Sequence, residues 1–196
     1  MVKQFFDSKI NRIVCEIIAG ELVCTDNPGL VLTTLLGSCV SVCLTDRVNR
    51  VFGMNHFMLP GKLGQAQHGD SKYGTFATDS LISDMIKKGA EKKYMEAKVF
   101  GAGRVMGNLI FDVARSNAEF TQRYLAALRI PVAASDLGND YGRKILFYCN
   151  TGDVYVKKIR EYSSNPEALA RERRFFAWLK SHIGGVGHEE SQGAYS

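Results

Sequence analysis

The sequence predicts a single layered domain of the mixed α/β (α+β) class, in which mixed or antiparallel β-sheets carry flanking helices. Three observations predict it. Short β-branched apolar runs gather early and late in the chain. Helical periodicity is confined to the middle and to the C-terminal end. Strands and helices do not alternate as a doubly wound parallel sheet would require. A chain of 196 residues can bury one sizeable core, and its apolar fraction of 45% is ordinary for a globular protein.

Ile13 to Ile18 and Leu30 to Leu36 read as strands separated by the turn residues Asp26, Asn27, Pro28 and Gly29. Cys39 to Thr45 and Val51 to Leu59 read as a hairpin, with Pro60 ending its second strand. Residues 60–76, rich in glycine and polar side chains, form a long loop. Residues 77–95 have helical spacing, with Leu81, Ile82, Met85 and Ile86 on one face and Asp79 in the first turn. Lys98 to Phe100 is a short strand. Residues 104–128 form a helix in two parts, the second capped by Asn117, with Phe120, Tyr124, Leu125 and Leu128 facing the core. Val132 to Ser135, Ile145 to Asn150 and Val154 to Ile159 are strands, the last two joined around Thr151 and Gly152. Asn165, Pro166 and Glu167 start a final helix that runs to about His182, before a polar tail. The expected organisation is a domain over residues 1–160, a basic helix within 161–183 docked on it, and a disordered tail over 184–196.

Composition narrows the function. No apolar run approaches the roughly 18 residues that span a bilayer, and the start MVKQFFDSKINR lacks the layout of a signal peptide. A cytoplasmic protein without membrane insertion is expected. The five cysteines (Cys15, Cys24, Cys39, Cys43, Cys149) form no CxxC pair, so free thiols are expected. Residues 157–180 hold seven Lys or Arg against three Glu, an excess that solvates a docked helix face more readily than it makes a nucleic-acid site. Neither His68, His182 nor His188 has metal-ligand spacing, and the glycines at 101, 103 and 107 miss the dinucleotide fingerprint at Met106. No metal and no cofactor are expected.

The chemistry centres on the hairpin. If residues 46–49 close a two-residue turn with Asp46 opposite Asn49, Cys39 lies directly opposite His56. Opposed residues share a face, with Cβ atoms about 4.5–5.5 Å apart. A nearby imidazole populates the thiolate, takes the thiol proton, and returns it to a leaving amine. Backbone N–H groups around Gly37 and Ser38, with that of Cys39, could stabilise an oxyanion. Cys43 opposes Phe52 in this register and reads as core. Spacing alone leaves open a packed Cys–His pair, and amidase, protease and transglutaminase chemistry share the same two residues.

The words around the pair narrow that choice. NPGLVLTTLLGSCVSVCLTD over 27–46, GMNHFMLP over 53–60, AKVFGAG over 97–103, Asn117 and IPVAASDLGNDYGRKILFYCNTGDVYVK over 130–157 resemble the CheD family, the chemoreceptor glutamine deamidases of bacterial chemotaxis. The resemblance covers about residues 10–160. It implies hydrolysis of glutamine side-chain amides of methyl-accepting chemotaxis receptors, with Cys39 as nucleophile and His56 as base. It also implies a role for Thr33, six residues before the cysteine, a layered sheet fold similar to certain deamidating toxins, and in some bacteria a CheC-type phosphatase partner. The alternative is an adaptor for such a phosphatase or receptor without turnover. Two departures concern substrate contacts. GAGRVM stands where the family has a GGA-type loop, and Ser116 stands where an arginine is expected, with Arg115 one place earlier.

Overall fold

In the computed structural model, residues 2–61, 70–105 and 107–164 are described, together with residues 166, 170, 173–175, 177 and 181. Two five-stranded sheets pack face to face, and two helices cover the outer face of one of them. The mixed α+β expectation is borne out.

The first sheet contains β1 (Lys3–Asp7), β2 (Arg12–Glu16), β4 (Leu30–Leu36), β9 (Gly142–Tyr148) and β10 (Val154–Ile159), in that spatial order. The second contains β3 (Leu22–Thr25), β6 (Val51–Asn55), β5 (Val40–Asp46), β7 (Met95–Gly101) and β8 (Val132–Leu137), again in spatial order. Pairing is antiparallel except for β2 with β4 and β7 with β8. β1 and β3 were not expected from sequence. β1 is an exposed edge strand, and β3 is a four-residue strand without strict alternation, so neither carries a strong period-two signal.

β4, β5 and β6 are almost wholly buried, which explains their near-continuous apolar composition. Leu30, Leu32 and Leu36 of β4 meet Cys43, Phe52 and Met54 of the second sheet, with Ile145 and Phe147 beside them. Val40, Val42, Leu44 and Phe57 point the other way, to α1 (Gly74–Lys87) and α2 (Gly107–Ala127). Each large side chain removed from water in these layers contributes roughly 1.5–3 kcal/mol. Gly53 on β6 carries no Cβ where Leu81 and Met85 of α1 close in, which lets the helix lie directly on the strand.

α1 begins and ends earlier than the 77–95 expectation. Its end is a Schellman cap: Gly89 at φ 96° bonds to the Ile86 carbonyl, and the Ala90 N–H bonds to that of Met85. Asp79, expected near its start, accepts instead the Tyr124 hydroxyl of α2 at 2.6 Å. α2 is one unbroken helix, so Asn117 is not an N-cap but an interior, fully buried position. Residues 62–69 with His68, and 182–196 with His182 and His188, lie outside the described residues; those described within 166–181 are helical.

The hairpin register also differs from expectation. Asp46 pairs with Val51, so the loop is four residues, Arg47 to Arg50, rather than two. The Asp46 carboxylate closes it by accepting the backbone N–H groups of Val48 and Asn49, and Arg50 completes the turn at φ 56°. Burial opposes the Asp46 charge, but these N–H donors, with Asn49 and Glu91, hold its carboxyl below the usual range. The pairing Cys43 with Met54 continues to a bridge between Val40 and Phe57. Extended by one residue, it sets Cys39 across from Met58, and His56 across from Ser41. Cys39 and His56 are therefore diagonal rather than direct neighbours. They remain on one face, because a shift of two residues preserves facing.

Candidate active site

His56 is 3% exposed and pinned at both backbone groups: its N–H donates to the Glu21 carbonyl at 3.0 Å, and its own carbonyl accepts the Gly20 N–H at 2.8 Å. Its ring turns toward the first sheet, where Nδ1 lies 2.8 Å from the Thr34 hydroxyl oxygen. That hydroxyl has one hydrogen, and it is donated to the Ile17 carbonyl at 2.6 Å. Toward His56, Thr34 can then only accept, so Nδ1 carries the ring proton and the lone pair sits on Nε2. The same acceptor stabilises the ring when it becomes a cation.

Thr33 is placed elsewhere. Its hydroxyl donates to the Ile145 carbonyl at 2.7 Å on the neighbouring strand β9, while its neighbour Thr34 occupies the face that meets the second sheet. Adjacent strand residues face opposite ways, so only one of the two threonines can reach His56. The local pattern offered no signal for choosing between them, because β4 is apolar on both faces; the family resemblance alone points to Thr33.

Cys39 is 6% exposed and ends a turn formed with Gly37 and Ser38, immediately before β5. All three carbonyls of this turn are gripped by other segments. Gly37 accepts the Gly103 N–H at 2.7 Å, and Cys39 accepts the Ala102 N–H at 2.7 Å. Ser38 accepts from Nδ2 of Asn117 at 3.1 Å, and the same nitrogen donates to the Met58 carbonyl at 2.9 Å. The glycine-rich segment after β7 is thus a cradle for the Cys39 turn. Gly101, at φ 118°, lies so close that a Cβ there would land on the Cys39 carbonyl. The loop is braced from behind by Arg143, fully buried on β9, which donates to Asp136 at 2.7 Å and to the Gly138 carbonyl at 2.8 Å.

The other cysteines are poor nucleophiles. Burial pushes the Cys15 and Cys43 thiols up, Cys24 to about 11 and Cys149 to about 12, so none supplies thiolate near neutrality. All five are free thiols, Cys39 included, and Cys39 alone shares its face and its end of the sheet with His56. Among the described residues, no group of His, Cys, Asp and Glu could hold a metal ion, and no helix is long and apolar enough to cross a membrane. The register puts the Cys39 thiol on the same face and the same end of the sheet as an imidazole whose Nδ1 is contacted by Thr34.

Comparison with known proteins places the chain in a family. The family model described as CheD chemotactic sensory transduction matches residues 58–158, a span that includes the Ala102–Gly103 cradle and Asn117. A protein of Methylobacillus flagellatus is 39% identical over 183 residues, 91% of this chain and 89% of that one. One from Laribacter hongkongensis is 42% identical over 161 residues, 80% of this chain and 78% of its own. One from Thiobacillus denitrificans is 38% identical over 91% of this chain and 90% of that protein. Each of these three carries the name probable chemoreceptor glutamine deamidase CheD. Among solved structures, the hypothetical protein YfiH of Bacillus licheniformis aligns at TM-score 0.41 and 17% identity, over 59% of this chain and 49% of that one.

Proposed function

The chain belongs to the CheD family, and from that premise we propose that it is a protein-glutamine deamidase, converting glutamine side chains of chemoreceptors to glutamate and ammonia. The observation that carries the reading is the His56–Thr34 contact. It leaves Nε2 as the basic nitrogen, on the face that Cys39 shares.

The reaction proceeds in two halves. His56 takes the Cys39 thiol proton, and the thiolate attacks the glutamine carboxamide carbon. The negative oxygen so formed is stabilised by backbone N–H groups of the Gly37–Cys39 turn. As the C–N bond breaks, the imidazolium returns its proton to nitrogen and ammonia leaves, giving a thioester on Cys39. His56 then removes a proton from water, the hydroxide attacks the thioester, and glutamate departs as the thiolate is regenerated. Thr34 holds the His56 tautomer throughout. In this reading the third role, which the family resemblance assigns to Thr33, belongs to Thr34, supported by its contact with His56 Nδ1.

The direct test is incubation with a chemoreceptor cytoplasmic fragment, followed by mass spectrometry and ammonia assay. Each converted side chain gains about one dalton as an amide becomes an acid. Cys39→Ala and His56→Ala should abolish the gain while remaining folded. A folded Cys39→Ala protein that still deamidates would remove the nucleophile assignment.

A further inference from the structure

Asn117 is fully buried in the middle of α2, where a hydrophobic residue would serve packing better. Its backbone carbonyl is served by the Thr121 hydroxyl at 2.7 Å, but among the described residues its side chain bonds nothing on its own helix. Instead both Nδ2 hydrogens are spent on carbonyls of two separate segments. One belongs to Ser38, the residue before Cys39; the other belongs to Met58, the second residue after His56. The amide cannot be turned round, because Oδ1 would then face two carbonyl oxygens. In the orientation observed, Oδ1 is buried without a hydrogen-bond partner among the described residues. An unsatisfied acceptor at a fully buried site is a cost that an apolar side chain would avoid, so what the Nδ2 group does must matter more.

What it does is geometric. A trans peptide is planar, with its C=O and N–H antiparallel, so gripping the Ser38 carbonyl fixes the direction of the Cys39 N–H as well. Gripping Met58 fixes the strand that leaves His56. The donor is a single nitrogen, so the two grips cannot drift independently. The Thr34 contact sets the ring of His56, but nothing in that contact reaches the nucleophile turn. We propose that Asn117 is a positioning residue which locks the Cys39 turn to the His56 segment, and so sets how the thiol meets the imidazole. The inference rests on the Cys39–His56 reading above and adds to it a residue on a different element.

The experiment measures iodoacetamide alkylation of Cys39 against pH in the full chain, beside deamidation kinetics and melting temperature. In the unaltered protein the alkylation inflection should lie well below the roughly pH 8.5 of an ordinary thiol, and His56→Ala should raise it. Asn117→Ala should move the inflection upward toward the His56→Ala value and lower kcat at least about tenfold, with KM within about twofold. Thr121→Val, one turn along the same helix, should lower only the melting temperature. Should Asn117→Ala fail to fold, Asn117→Ser is read in the same way, since it loses both bonds while leaving space for water. A folded Asn117 variant with an unmoved inflection overturns the inference, whatever its kcat. An ordinary inflection in the unaltered protein, insensitive to His56→Ala, overturns the Cys39–His56 reading itself, which is a different and recognisable result.

Discussion

Thr34 and His56 meet across the interface between the two sheets, with the threonine hydroxyl oxygen 2.8 Å from Nδ1 and its hydrogen committed to the Ile17 carbonyl. One strand residue thereby decides which nitrogen of the histidine is basic, while its neighbour Thr33 bonds the Ile145 carbonyl instead.

The two threonines can be separated by substitution. Thr34→Val keeps the β-branched shape but removes the acceptor, and should lower kcat by roughly 10–100-fold through loss of the tautomer lock. Thr34→Ser should retain most activity. Thr33→Val should leave kcat within about twofold and lower stability by about 1 kcal/mol, the worth of one buried hydrogen bond. Steady-state deamidation kinetics with parallel urea melts check all three, and a larger kcat loss in Thr33→Val than in Thr34→Val would reverse the assignment.

Glycine 101 should be the least replaceable glycine near the site. Gly101→Ala combines a φ of 118° with a Cβ directed onto the Cys39 carbonyl, so a loss of at least about 2 kcal/mol is expected, together with a fall in activity. Gly89→Ala shares a positive φ of 96° but meets nothing within 4 Å, and should cost only about 1 kcal/mol, with kcat unchanged. Denaturation midpoints and kcat of the two variants, compared directly, test the difference.

Cysteine reactivity should be selective. With Cys15, Cys24, Cys43 and Cys149 all pushed upward by burial, a single equivalent of iodoacetamide at neutral pH should label Cys39 first, and loss of activity should track that label. Peptide mapping that finds half-buried Cys24 labelled first would contradict the assignment.

Acid should loosen the brace behind the site. Burial works against the Asp136 charge, but its bond to Arg143, that residue's positive charge and the Tyr141 hydroxyl hold the carboxyl below its usual range. A depressed folded-state pKa contributes stability that is present above the unfolded value, about 3.9, and is lost as pH falls through the folded one. Asp46 contributes in the same direction. Asp136→Asn should flatten the acid limb of the stability curve. It also leaves Arg143 buried without its counter-charge, at a cost of about 3 kcal/mol at neutral pH. Urea midpoints between pH 3 and 7 measure both effects.

Much of this was legible in the chain. The runs at 30–36 and 154–159 are strands over the expected residues, because β-branched and apolar side chains there match a pleated, buried surface. α1 ends before the apolar spacing does, because Gly89 acts as a left-handed cap, a signal weaker in sequence than the spacing that continues past it. Asn117 reads as a helix cap in sequence because Asn favours that position in general. Its place inside α2 follows from partners 79 and 59 residues away, which local propensity cannot see.

By itself the sequence determined that Cys39 and His56 share a face. Strand side chains repeat every two residues, so the conclusion survived a hairpin register that was two residues off. The tertiary structure alone decided the rest: that the Asp46 carboxylate closes a four-residue loop, that Thr34 rather than Thr33, both buried, faces His56, and that Asn117 bridges the turn and the strand. Each depends on which surfaces two sheets and a helix bury against one another, and that is a property of long-range packing rather than of any local run of residues.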